Sequence, residues 1–188
     1  MTYPLPSDRR LRYEAIGQLA EQSVAEKLSL IYTQDKVKSG KPGNSGTNGE
    51  PDILLITPPG PVYIEVKSLV PFTRRKAKSG KSDKRYYFTN TLKLQRSSWR
   101  HLCETAETNH AYPVIVAEVR FNNSSVYFLI TKEQVDRHVS KSGVEWCHIP
   151  LSYIMTRAHL LSFTHDEFDF TEQLSDITEK TKQRKLIP

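Results

Sequence analysis

Residues Asn48–Ser68 read NGEPDILLITPPGPVYIEVKS. Two apolar runs, Asp52–Thr57 and Val62–Lys67, flank the sequence Pro58-Pro59-Gly60-Pro61. Short apolar runs bounded by proline and glycine read as strands, and the proline-rich link between them forces a turn. The stretch therefore predicts a hairpin. Side chains two apart on a strand share a face. Glu65 and Lys67 thus point one way, Ile64 and Val66 the other. A tight hairpin also carries Asp52 to Glu65 near its open end. Two neighbouring carboxylates raise each other's pKa unless a cation neutralises them. Carboxylates with solvent and a substrate phosphate are the usual Mg²⁺ ligands, and the Val66 carbonyl offers one more oxygen. Such an ion polarises a phosphoryl group and acidifies water. Lys67 can then orient that water or stabilise developing negative charge. An isolated Glu-x-Lys is most often an ordinary cross-face pair. What sets this one apart is its place at a strand end, with an aspartate starting the strand before it.

The surrounding chain supplies helices. From Arg9 to about Tyr32, apolar residues recur at Leu11, Ala15, Ile16, Leu19, Ala20, Val24, Leu28 and Ile31, which is helical spacing. VKSGKPGNSGTNGE, residues 37–50, reads as a loop. A second helix is expected over Leu92–Thr108. PVIVAEVRF and SVYFLI read as strands paired across Asn122-Asn123. A short helix is expected from Thr131 or Lys132, EWCHI is a candidate edge strand, and LSYIMTRAHLL a further helix. Helices interleaved with apolar strands predict an α/β fold, a mixed central sheet flanked by helices. The expected division is a domain over 1–165 and a charged tail or helix over 166–188.

Charge is concentrated. The 188-residue chain has a net charge of +6. Thr73–Arg85 carries seven basic side chains (Arg74, Arg75, Lys76, Lys78, Lys81, Lys84, Arg85) against one acid, Asp83. The remaining residues balance at twenty of each sign. A basic, glycine- and serine-containing loop directly after Lys67 is the footprint of a polyanion. Cys103 and Cys147 are too few for a disulfide framework and are expected as thiols. The N-terminal MTYPLPSDRR lacks an apolar leader, and no run approaches the ~20 apolar residues of a membrane span. A cytoplasmic protein without membrane contact is expected. No P-loop or dinucleotide glycine pattern occurs, so no nucleotide cofactor is expected. The six histidines have no metal-ligand spacing.

Pro51-Asp52 and Glu65-Val66-Lys67, with this spacing and these strands, resemble the PD-(D/E)xK nuclease superfamily. The likeness runs from about Arg12 to Ile130. It implies a restriction-endonuclease-like core in which Asp52 and Glu65 bind Mg²⁺ (or Mn²⁺) and Lys67 is catalytic. Such nucleases often carry a further acid on the first helix. Here GQLAEQSVAEKL looks like that segment of archaeal-type Holliday-junction resolvases, with Gly17 and Glu21 matching. Glu14 is a competing assignment and Glu26 a third. Residues 37–52, Ser45 among them, resemble the polar loop ahead of the resolvase aspartate. Gln95 and Trp99 resemble a Q-x-x-x-Y element of related nucleases, including the VRR type. Resolvases of this kind imply branched DNA as substrate and a homodimer. The insertions at 38–50 and 72–86 depart from compact resolvases. A restriction-type endonuclease on the same scaffold and a catalytically inactive DNA-binding module are the alternatives.

Overall fold

The computed structural model of the chain describes residues 9–40, 50–75, 85–121, 124–139 and 145–185. The first helix, α1, spans Arg9–Ile31. It buries Ala20, Val24 and Leu28, one residue per turn on a single face, and exposes Gln22 and Glu26. A 3₁₀ turn at Gln34–Lys36 leads into β1 (Val37–Ser39). The hairpin follows as β2 (Ile53–Ile56) and β3 (Pro61–Leu69). Next come β4 (Phe72–Arg75), β5 (Arg85–Phe88), β6 (Thr91–Gln95) and α2 (Arg96–Thr108). β7 (Tyr112–Phe121), β8 (Ser124–Thr131) and α3 (Lys132–Val139) come after them. The chain continues through β9 (Trp146–Pro150), α4 (Leu151–Arg157), β10 (His159–Leu160) and α5 (Thr171–Lys185).

The central sheet has the order β1-β2-β3-β7-β8-β10. β3 and β7 run parallel, and its other pairs are antiparallel. The sheet is mixed because the return from β3 to β7 needs a long crossover, here β4, β5, β6 and α2. β7 is buried from Tyr112 through Val119, which is why its sequence is continuously apolar rather than alternating. Both faces are covered. Val62, Ile64 and Val66 pack in one cluster with α1 and with Phe168, Phe170 and Leu174 of the C-terminal segment. Tyr63 and Leu69 pack in the other, with Trp99 and Leu102 of α2 and Ile149 and Ile154 beyond. No described helix is long and apolar enough to cross a membrane.

Four expectations need correction. Val37–Ser39 is a strand, not loop: it pairs with Ile53–Leu55, and as an exposed edge strand it has no apolar pattern to read. The basic segment begins and ends as an antiparallel ribbon, with Arg74 opposite Tyr86 and Arg75 opposite Arg85. Leu92–Gln95 is strand rather than helix, with Leu92 and Leu94 buried, Lys93 exposed and the strand paired to β9. The helix at Leu151 stops at Arg157, and His159–Leu160 then pairs with β8. Asn122 and Asn123 lie outside the described residues.

Candidate active site

The turn of the hairpin is held by Thr57. Its hydroxyl donates to the Gly60 carbonyl at 2.6 Å, and the two backbones exchange bonds at 3.2 and 3.1 Å. Gly60 has φ +153°, a conformation that favours glycine. The resulting register pairs Ile53 with Ile64. Carried one residue further, it sets Asp52 opposite Glu65. The Asp52 carbonyl accepts from Gly40 N–H at 2.8 Å, so that residue's backbone serves the β1 side. Asp52 and Glu65 therefore form the narrow type of antiparallel pair, whose side chains approach most closely.

Both carboxylates are 7% exposed. Asp52 Oδ2 accepts from the Val66 N–H at 2.8 Å. The N–H and C=O of one strand residue leave the same edge, so the Val66 carbonyl is also directed past the end of β2. The Lys67 ammonium is ion-paired and hydrogen-bonded to Glu65 Oε1, and its side chain remains 28% exposed. Burial pushes the Asp52 carboxyl up to about 7, and the charges of Glu65 and Glu21 push the same way. Lys67 and the Val66 N–H oppose them without winning. For Lys67, burial works against the charge, but Glu65, Asp52 and Glu21 outweigh it and raise its pKa. Half-buried Glu21 is raised by burial, lowered by Lys67 and raised again by Glu65. It therefore sits within electrostatic reach of the pair.

Asp52, Glu65, Lys67 and Glu21 are thus brought together. Glu14 and Glu26 are exposed, and Glu26 accepts from Gln22 at 2.9 Å. Gln95 is the last residue of β6, where its amide donates to Glu145 at 3.5 Å and accepts from Ser98 at 3.3 Å. Trp99 is a core residue whose indole N–H donates to Asp136 at 3.1 Å. Arg74, Arg75 and Arg85 lie on the ribbon strands. Ser45, Lys76, Lys78, Lys81 and Lys84 lie outside the described residues. Among the described residues, no three His, Cys, Asp or Glu side chains converge on a single metal position. The donors on offer at the hairpin are two carboxylates and a backbone carbonyl.

Sequence reasoning missed Glu118. It is 1% exposed. Arg120 Nη2 donates to both its oxygens at 2.9 Å, Ser125 donates at 2.6 Å, and Ser68 at 2.9 Å. Ser68 follows Lys67 directly, so this network ties down the end of β3 that carries the lysine. The readable signal was the charged E-x-R alternation inside an apolar strand. On α1, Ser23 shares a 2.7 Å hydrogen bond with Tyr127, which pins the helix to the sheet two residues from Glu21. The sequence matches no family model and no curated protein.

Proposed function

We propose that the chain is a metal-dependent DNA endonuclease on a restriction-endonuclease-like core, acting on branched DNA as a homodimer in the manner of Holliday-junction resolvases. The observation that carries this reading is Asp52 opposite Glu65 at the open end of one hairpin, with Lys67 bonded to Glu65. The Asp52 carboxyl, pushed up to about 7, is a group that needs another positive charge beside it to ionise fully at neutral pH. A divalent cation fits that need. Asp52, Glu65 and the Val66 carbonyl would hold Mg²⁺ or Mn²⁺, and Glu21 would contribute through solvent. Bound there, the ion supplies charge stabilisation at the scissile phosphate and lowers the pKa of water.

The chain's own groups do the rest. The Val66 N–H fixes the Asp52 carboxylate in one orientation, which removes a reorganisation cost at the moment of reaction. Lys67 keeps its proton, so it serves as a donor and not as a base. It hydrogen-bonds the incoming water or a non-bridging phosphate oxygen and stabilises the charge that builds there. The arginines and lysines of residues 74–85 bind backbone phosphates and set the duplex against the hairpin.

The test is a cleavage panel over plasmid duplex, flap, splayed-arm and four-way DNA, with Mg²⁺, Mn²⁺ or a chelator. Cutting should need the metal and favour the branched substrates. Asp52→Ala and Glu65→Ala should each lower the rate by about a thousandfold or more while keeping DNA binding. Metal-dependent cutting that survives in either variant refutes the site. Discrete fragments from plain plasmid would make the enzyme a restriction-type nuclease.

A further inference from the structure

Beyond Ile64, the strand that carries Lys67 is laddered on one side only among the described residues. β2 pairs with β3 as far as Ile53 opposite Ile64, whereas β7 pairs with it on to Val119 opposite Leu69. Lys67 therefore stands on a stretch with one backbone neighbour, and such a stretch is freer to twist than one inside a sheet. Side chains supply what the missing ladder does not. The Asp52 carboxylate accepts from the Val66 N–H. One residue past the lysine, Ser68 lies opposite Glu118 of β7, and Glu118 lies opposite Tyr127 of β8. Ser68, Glu118 and Tyr127 form a cross-strand row on the α1 face of the sheet. The row lies directly beyond the apolar row of Val66, Val116 and Leu129. Ser68 donates to Glu118 Oε2 at 2.9 Å, and Arg120 and Ser125 hold the rest of the carboxylate. At the far end, Tyr127 joins the row to α1 through its bond to Ser23.

A carboxylate that is 1% exposed is unfavourable to place in an apolar strand. Pairing it with an arginine adds little stability over apolar residues of similar shape, so stability alone does not account for it. What a fully bonded polar network does is fix one arrangement of the groups around it. The group beside this network is Lys67. Its ammonium acts only if it meets water or a phosphate oxygen within hydrogen-bond distance, and small displacements there are costly in rate. We propose, resting on the nuclease reading above, that Glu118 is a positioning residue for Lys67 and acts through Ser68. It works without touching metal or DNA. By clamping Ser68 to β7 it sets the twist of β3 at the lysine, and Arg120, Ser125 and the Tyr127–Ser23 bond to α1 brace the clamp from behind.

Ser68→Ala removes the clamp and leaves the Glu118–Arg120 pair in place. With Mg²⁺ and saturating DNA it should cut about tenfold more slowly, with DNA affinity and melting temperature unchanged. A merely structural serine would do the reverse, lowering the melting temperature and leaving the rate alone well below it. Ser68→Thr keeps the hydroxyl and should restore the rate to within about twofold of the wild type. A second readout needs no catalysis. The metal-free full chain is labelled with trace acetic anhydride, and each lysine is followed by mass spectrometry. Lys67, released from its fixed pairing, should label about threefold faster or more in Ser68→Ala and in Glu118→Gln, relative to the other lysines. Should Glu118→Gln fail to fold, Ser68→Ala decides alone. Wild-type protein that cuts no DNA with any metal sinks the nuclease reading, and the labelling then decides the clamp by itself. A wild type that cuts, with Ser68→Ala as fast, overturns the clamp and leaves the nuclease reading standing. Unchanged labelling of Lys67 overturns the clamp in either case, and so does a slow Ser68→Ala that threonine does not rescue.

Discussion

Asp52 is held where its own charge is disfavoured. Its carboxyl ionises near 3.8 in an unfolded chain and at about 7 in the fold, because burial and Glu65 both oppose the anion. Between those values the folded chain keeps a proton that the unfolded chain has lost. Stability therefore falls as pH rises from about 4 to about 7, and is level above. Asparagine keeps the shape and can still accept from the Val66 N–H, but carries no charge. Metal-free Asp52→Asn should match the wild type near pH 4 and exceed it near pH 8, by on the order of 2–4 kcal/mol. Thermal melts in chelator at the two pH values measure this. Equal melting temperatures at the higher pH would mean that the carboxylate is solvated after all. The same variant should be inactive, so that stability gained and activity lost trace to one side chain.

The β4–β5 ribbon joins the hairpin to DNA in the proposed function. A two-stranded ribbon is one of the shapes that a major groove admits. Each phosphate contact that is lost lowers the slope of log affinity against log salt by about 0.9. Replacing Lys76, Lys78, Lys81 and Lys84 with glutamine should therefore flatten that slope by about 3 to 4 and leave the cutting rate at saturating DNA unchanged. An unaltered slope would move the DNA-binding surface elsewhere. That Arg74, Arg75 and Arg85 lie on a ribbon was hidden in the sequence, since a run of lysine and arginine masks any strand alternation. Leu92-Lys93-Leu94 was hidden differently, because so short an alternation fits the start of a helix as well as a strand. The β2–β3 hairpin was readable because turn, strands and charges all lie within a few residues of one another. The Ser68–Glu118 bond was not, since those two residues are 50 positions apart.

At the scale of the molecule, the C-terminal segment decides whether the chain melts as one body. Its sequence after His165 is charged enough to read as an appended tail. Yet Phe168, Phe170 and Leu174 share a core cluster with Ala20, Val24 and Ile64. Leu174 lies directly over the hairpin turn, its Cδ1 only 3.1 Å from where a Gly60 side chain would begin. Trimming that leucine leaves a cavity against the turn, at a cost of about 2–5 kcal/mol. For a chain of this size, that lowers the melting temperature by about 5–12 °C. The Asp52–Glu65 pair is at the other end of the hairpin, five residues along each strand or about 17 Å away. Leu174→Ala should therefore melt in one transition at reduced temperature, with its cutting rate well below that temperature within about twofold of the wild type. Calorimetry with a parallel cleavage assay measures both. A separate low-temperature transition, or no change in the main one, would make the segment an independent appendage. A collapse of activity without loss of stability would mean that the turn and the carboxylates are coupled along the hairpin.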